Sequence, residues 1–353
     1  MVSINDLLRA LFDKNASDLH ITAGAAPGLR IDGDISSFGT EKLSPEVCQE
    51  LIYSVLTDDQ KEKFERENEL DLAFGVKGLG RIRMNVFRQR GAVAAVLRNI
   101  PSHIPTFEEL GLPEIVSKTI VKLPKGLVLV TGPTGSGKST TIASIIDYIN
   151  ADRKGHIITV EDPIEYVYSH KNCLVNQREI GTDSLSFTAS LKHILRQDPD
   201  VIVIGEMRDL ETIQAALTIA ETGHLVFGTL HTSDTVQSIN RIIDVFPPHQ
   251  QQQIRTQLSF VLQAVLAQML IPRAYSGGRI AAIEVLMPNM AVRNLIREEK
   301  IHQIYSTMQT ATEEGNQTMN SALSQLYIKQ LITYNEAMGN SLDPKDLARM
   351  IKG

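Results

Sequence analysis

The residues of this chain best equipped for chemistry are Gly132, Pro133, Thr134, Gly135, Ser136, Gly137, Lys138, Ser139 and Thr140. Gly132 to Ser139 fit the pattern G-x-x-x-x-G-K-[ST]. The glycines let the backbone curl so that its N–H groups converge on one concavity. That concavity suits the α- and β-phosphates of a nucleotide, and the positive end of the following helix faces the same place. In such a loop Lys138 reaches the β- and γ-phosphates, and the Ser139 hydroxyl completes a Mg2+ shell. A glycine-rich turn that merely contains Lys-Ser is the bland alternative. The apolar run 127–130 before the loop and the amphipathic Ile142, Ile145, Ile146 and Ile149 after it supply the strand, loop and helix order that the motif requires.

Holding a nucleotide does not hydrolyse it. Hydrolysis needs a carboxylate that orients or deprotonates water beside Mg2+ at a strand end. Val201-Ile-Val-Ile-Gly-Glu206 is a buried strand pattern ending in an acid, with Gly205 where many phosphate-loop enzymes carry a metal-binding Asp. Glu206 is the first candidate for water activation; the alternative is a helix-capping acid near Arg208 and Asp209. A second acidic group, Glu161-Asp-Pro-Ile-Glu165, follows the strand pattern 156–160. In a parallel sheet it falls on the same edge as the phosphate loop. Glu161 and Glu165 are candidates to hold metal through water or to share the base role, although Asp-Pro also makes an ordinary turn. His224 opens a strand pattern and His231 closes it. His231, at the C-terminal edge, is placed to sense a γ-phosphate; His224, at the far end, suits a structural role or a subunit boundary. Arg81, Arg83, Arg88, Arg90 and Arg98, with Lys77 upstream, lie in a stretch without an acid between Asp71 and Glu108. Arg81 and Arg83 alternate with Ile82 and Met84 and so share one strand face. A solvated face, a nucleic-acid patch and arginines delivered to a bound nucleotide all fit this run, which does not discriminate between them.

These residues need a scaffold, and the 353-residue length suggests about two domains, with 42% hydrophobic residues for their cores. The net charge of −6 disfavours general adhesion to nucleic acid. The start, Met1-Val-Ser-Ile-Asn-Asp, lacks a signal-peptide pattern, and no apolar stretch is long enough to span a bilayer. The stretch 258–271, interrupted by Ser259, Gln263 and Gln268, reads as a buried helix. Cys48 and Cys173 are far apart, which fits a reducing compartment and two buried inert thiols, and excludes a multi-cysteine zinc site. Residues 1–100 read as a small α+β unit: helix 4–14, strands 18–22 and 28–32, a helix from Pro45 capped by Ser44, and a meander over 70–74, 80–89 and 92–98. The proline-spaced segment 101–113 reads as an interdomain connection. Over 114–353, strands 127–130, 156–160, 201–204 and 224–228 alternate with helices 140–150, 187–196 and 210–221. Such alternation implies a largely parallel sheet covered by helices, an α/β fold. Beyond residue 235 the pattern is mostly helical apart from a strand at 279–286.

The order of the motifs is the phosphate loop, Glu161 to Glu165, Ile204-Gly-Glu-Met-Arg-Asp209, and then Thr222-Gly-His with Thr229-Leu-His-Thr232. This order resembles the secretion-type ATPases of type II secretion and type IV pili. That family calls these motifs Walker A, Asp box, a Walker B ending Gly-Glu, and His box. Ala16-Ser-Asp-Leu-His20 and the arginine-rich strands extend the likeness over most of the chain. The run Ala291, Val292, Arg293, Asn294, Leu295, Ile296, Arg297 and Glu298 is similar to the signature helix of the pilus retraction ATPases, departing conservatively at Val292. Extension and secretion members carry a longer N-terminal region and usually a four-cysteine zinc insertion, so retraction is the expectation.

The resemblance implies a RecA-like P-loop ATPase domain preceded by a PAS-like domain, with nucleotide between them, in a homohexamer that uses ATP and Mg2+. It implies Lys138 and Ser139 on phosphate and metal, Glu206 as catalytic glutamate, and Glu161 and Glu165 supporting metal and water. Metal contacts fall to Ser139, Glu161 and Glu206, partly through water. His231 joins the catalytic set, Arg83 and Arg98, then Arg81, contact nucleotide, and the helix 291–298 with His224 couples hydrolysis to output. The implied location is the cytoplasm, docked on an inner-membrane platform protein and acting on the pilus machinery indirectly, without nucleic acid. The competing readings are a pilus extension or type II secretion motor, a nucleic-acid translocase, and a non-hydrolysing nucleotide-dependent binding module.

Overall fold

A computed structural model describes residues 3–31, 33–100, 103–275 and 277–352. Asp32 of an expected strand, and Pro101 and Ser102 of the expected connection, lie outside these residues. The chain divides into two units: one holds the described residues up to His103 together with Glu165–Val167, the other Ile104–Ile164 and the described residues from Tyr168 onward.

The first unit begins with α1 (Ile4–Asp13), whose start is fixed by reciprocal bonds between Ser3 and Asp6. Its apolar residues recur at helical spacing, so Ile4, Leu7, Leu8 and Leu11 all reach the core. Each such leucine stabilises the unit by about 1.5–3 kcal/mol relative to exposure. Strands β1 (Asp18–Ile21), β2 (Gly28–Ile31) and β3 (Asp34–Ser37) follow. Helix α2 (Pro45–Tyr53) is capped by Ser44, with proline in its first turn, and α3 (Asp58–Glu67) is capped by Thr57. Strands β4 (Glu69–Val76), β5 (Gly80–Gln89) and β6 (Ala92–Ile100) complete an antiparallel sheet in the order β3-β2-β1-β6-β5-β4. Alternation along β5 buries Ile82, Met84 and Val86 and turns Arg81 and Arg83 to the other face, where both are half-buried.

The second unit opens with α4 (Phe107–Leu110) and α5 (Glu114–Lys118). There follow β7 (Gly126–Thr131), α6 (Lys138–Asp152), β8 (His156–Glu161), β9 (Leu174–Glu179), α7 (Phe187–Ile194), β10 (Val201–Ile204), α8 (Leu210–Glu221) and β11 (Leu225–Leu230). Then come α9 (Thr235–Asp244), α10 (Pro248–Val261), β12 (Leu262–Pro272), β13 (Arg279–Leu286) and α11 (Met290–Arg297), with short helices to the end. The sheet order is β13-β12-β7-β11-β10-β8-β9, parallel throughout except that β13 runs against β12. Strands β7, β10 and β11 are buried at every position, as a sheet covered on both faces requires. Side chains leave β7 alternately: Leu127 and Leu129 enter one apolar cluster, Val128 and Val130 the cluster on the opposite face.

Three strands depart from the sequence expectation, the first being β3, Asp-Ile-Ser-Ser, which is exposed at every position and carries no buried pattern. The stretch read as a single buried helix over 258–271 changes type in its middle: α10 stops at Val261, and β12 runs from Leu262 to Pro272 beside β7. A run whose apolar residues fall on every side, with only Ser259, Gln263 and Gln268 between them, has no periodicity to separate a buried helix from a buried strand. β9, with the sequence Leu-Val-Asn-Gln-Arg-Glu, is a polar edge strand and gives no apolar signal. Among the described residues no helix is long and apolar enough to cross a membrane.

Candidate functional site

Because β7, β8, β10 and β11 are parallel, the residues after each of them gather on one edge of the sheet. That edge carries the phosphate loop after β7, Glu161 at the end of β8, Gly205 and Glu206 after β10, and His231 after β11. Ligands of open α/β sheets bind outside this carboxyl end.

The loop is shaped for a phosphate. Gly132, Gly135 and Gly137 adopt φ of +144°, +79° and +88°, a region that side-chain-bearing residues avoid. A Cβ on Gly132 would lie 2.3 Å from the Gln268 carbonyl oxygen, whereas one on Gly135 would meet no protein atom within 4 Å. Helix α6 starts at Lys138 with Gly137 as its N-cap and no side chain capping it. Its first-turn N–H groups and positive end therefore face the loop's concavity, as anion binding requires. Lys138, only 9% exposed, donates to the carbonyls of Gly132 at 2.8 Å and Pro133 at 3.0 Å. Burial lowers its pKa, against the nearby Glu206 carboxylate, which raises it. Ser139 lies exposed in the first turn of α6, Thr140 follows half-buried, and Thr134 Oγ1 lies 3.5 Å from His231 Nδ1.

Glu206 has its side chain 21% exposed and accepts from Arg208 Nε at 2.5 Å, with His231 Nε2 at 3.1 Å from the same oxygen. Burial works to raise its pKa, but the hydrogen bond from Arg208 and the charges of His231, Arg208 and Lys138 hold it below the ordinary glutamate value. It is thus a carboxylate at neutral pH, better suited to orienting a water by accepting its hydrogen bond than to keeping its proton. Asp209, not Glu206, caps α8, accepting from Thr212 N at 2.8 Å. The absence of a side chain at Gly205 has a local cause: a Cβ there would lie 3.1 Å from Glu161 Cα and from the Val160 carbonyl oxygen. The neighbouring strand end, which carries Glu161, therefore leaves only a tight fit for a side chain at position 205. One Glu161 oxygen accepts from Thr159 Oγ1 at 2.6 Å and Gln177 Nε2 at 3.3 Å, which orients the carboxylate. The donor set of hydroxyl and carboxylate oxygens suits Mg2+, a hard cation.

The remaining expected residues divide between the two units. Glu165 is exposed and belongs with the first unit. In that unit Arg98 Nε donates to Asp18 at 2.8 Å while its side chain stays 63% exposed, and Arg83 sits opposite it across β5 and β6. His224 is at the other edge of the sheet, with Nδ1 3.1 Å from Thr222 Oγ1 and 3.3 Å from the Ile219 carbonyl, closing the end of α8. Helix α11 packs on α10 through Val292 and Ile296, and Arg293 donates to the carbonyls of Ser259 and Phe260. Arg297 reaches Ser259 Oγ at 3.3 Å, and Glu298 pairs with Lys300 at 2.8 Å. Sequence reasoning missed Arg208 as the partner of Glu206; an arginine two positions from the acid was the available signal.

Comparison with known proteins gives a consistent result. A family model described as type II/IV secretion system protein matches residues 1–338. The type IV pilus retraction ATPase PilT of Pseudomonas aeruginosa is 47% identical over 98% of this chain and 100% of its own length. The type IV pilus ATPase PilU of the same organism is 44% identical over 98% and 90%. A crystal structure of the pilus retraction motor PilT with bound ADP superposes with a TM-score of 0.92 at 52% identity, covering 99% of this chain and 100% of that one.

Proposed function

This chain belongs to the type II/IV secretion system protein family, and from that premise we propose that it is a motor ATPase that powers retraction of type IV pili and hence twitching motility. The observation that carries the chemistry is the Glu206 carboxylate, held by Arg208 and His231 on the same sheet edge as Lys138.

ATP is the nucleotide of this reading. The loop N–H groups and Lys138 bind its phosphates, and Glu206 orients the attacking water. His231, between Glu206 and Thr134 of the loop, carries the state of the terminal phosphate to the strand β11. Bound Mg2+ would neutralise charge on the phosphates; Ser139 would hold it directly, and Glu161 and Glu206 partly through water. Arg83, Arg81 and Arg98 supply positive charge to the nucleotide, and Glu165 supports metal and water. The helix α11, with Glu298 at its end, and His224 transmit the cycle. The working form is a homohexamer in the cytoplasm, docked on an inner-membrane platform protein, with an N-terminal PAS-like domain over 1–100, a connection over 101–113 and the ATPase domain over 114–353.

The test is a deletion strain observed for pilus number and retraction. It should carry excess pili that do not retract; the wild-type gene should restore retraction and the Glu206→Gln gene should not. Loss of surface pili in the deletion strain would assign extension instead, and stimulation of phosphate release by DNA or RNA would assign translocation.

A further inference from the structure

Gln268 is a polar side chain that the proposed reaction does not use. It lies on β12 and is 1% exposed, between Ala267 and Met269 in a strand whose other polar side chain, Gln263, is only half-buried. Burying an amide without a hydrogen bond costs several kcal/mol in apolar reference solvents, so its presence asks for a reason. Strand register supplies the place: Ala267 pairs with Thr131, the last residue of β7, so Gln268 is one step further along, against the phosphate loop. Its Nε2 donates to the carbonyl oxygen of Ser136 at 2.7 Å. A carbonyl only accepts, so the amide's NH2 end must face it. Among the described residues its Oε1 has no hydrogen-bond partner, which leaves the bond to Ser136 as the anchor. The same nitrogen would lie 3.2 Å from a Cβ on Gly137, and the Gln268 backbone oxygen backs onto Gly132.

We infer that Gln268 is a positioning residue for nucleotide binding, which sets the direction of the peptide group between Ser136 and Gly137. That peptide is planar and trans, so its C=O and N–H point in opposite directions. Tying the Ser136 carbonyl down to β12 turns the Gly137 N–H towards the opposite, open side of the loop. Without the tie, this peptide can rotate between orientations that differ little in the protein alone but greatly in how many N–H groups meet a phosphate. The chemical class concerned is a nucleoside di- or triphosphate, through its β-phosphate, which ground state and transition state share. The effect therefore falls on binding more than on the chemical step.

This inference rests on the loop binding nucleotide, and the experiment separates the two. Full-length wild type, Gln268→Met and Gln268→Glu are compared for MgADP affinity with a fluorescent ADP, for KM and kcat of ATP hydrolysis, and for melting temperature without nucleotide. Both variants preserve length; methionine lacks the donor, and an ionised glutamate sets an acceptor against the Ser136 carbonyl. Loss of one hydrogen bond of this kind is expected to weaken ADP binding about 10-fold in Gln268→Met and to raise KM by a similar factor with kcat within about twofold, the signature of lost uniform binding. Gln268→Glu should weaken ADP binding further, and it carries the test if Gln268→Met does not fold. Wild-type affinity and KM in folded Gln268→Met, or in folded Gln268→Glu at a pH where its carboxyl is ionised, overturn the inference, as does a fall in kcat at unchanged KM. Wild-type protein that binds no nucleotide overturns the underlying reading instead.

Discussion

Two glycines of the phosphate loop, replaced by alanine, should behave differently although they stand three positions apart. Gly132 and Gly135 both have positive φ, +144° and +79°, so each alanine carries backbone strain of about 1–3 kcal/mol. Their surroundings differ. At Gly135 the added carbon meets nothing within 4 Å, and strain is the whole cost. At Gly132 it lands 2.3 Å from the Gln268 carbonyl oxygen, a contact that must open by about 0.7 Å to reach the 3.0 Å below which real Cβ atoms are essentially never found. The obstructing atom is strand backbone and cannot rotate away; the Ser136 Oγ, at 2.6 Å, blocks another direction. Overpacking of this kind adds about 1–3 kcal/mol, so Gly132→Ala should destabilise by about 2–6 kcal/mol in total. The assay is urea unfolding of both variants without nucleotide. Gly132→Ala should unfold at clearly lower urea than Gly135→Ala; equal midpoints, or the reverse order, refute the steric reasoning.

Lys138→Ala should lower phosphate release at least ~10²-fold, as removal of a positioned phosphate donor does, with the rate read by a phosphate-release assay. Asp18 is buried, which works to raise its pKa, but hydrogen bonds from Arg98 and Ser17 hold it below the ordinary aspartate value. Its stabilisation is therefore present above the unfolded value of about 3.9 and lost as pH falls through the lower folded value; Asp18→Asn should cost about 1–3 kcal/mol at neutral pH, with the gap to wild type closing in acid, measured by unfolding across pH. Glu284 on β13 accepts from Thr235 N at 2.9 Å, Thr235 Oγ1 at 2.8 Å and Met319 N at 3.2 Å, the last on its other oxygen. Burial raises its pKa despite these bonds, so the folded state holds its proton longer than the unfolded chain and stability falls as pH rises from the unfolded value towards the folded one. In Glu284→Gln that pH dependence should vanish, and an NH2 facing the Met319 N–H should cost about 1–3 kcal/mol by the same unfolding assay.

How much of this was legible in the sequence depends on whether the signal is local. The phosphate loop is one contiguous stretch, and its glycines and Lys138 were readable before any fold was known. Glu206 and His231 were readable at one remove: parallel strands place their C-terminal ends together, and each residue stands just past an apolar strand pattern. Gln268 was hidden because its run is buried on every side, where helix and strand have no distinguishing period, and its partner Ser136 is 132 positions away. The pairing of Arg98 with Asp18, 80 positions apart, was equally out of reach; the arginine run offered five candidates and no geometry to choose among them. Gly205 was visible as a departure from a common pattern, but its cause, the backbone of Glu161 alongside, belongs to the packing of two strands.

Glu206 is the residue on which hydrolysis most directly depends. Its measurement is single-turnover phosphate release from MgATP by wild type and Glu206→Gln, with ATP affinity determined on the same preparations. The substitution keeps the side chain's size and removes the carboxylate that orients water. ATP should bind within a few-fold of wild type while release slows about 10²–10⁴-fold, a rise of roughly 3–5 kcal/mol in the barrier. Release at the wild-type rate from a variant that binds ATP normally would contradict the assignment of hydrolysis to this carboxylate.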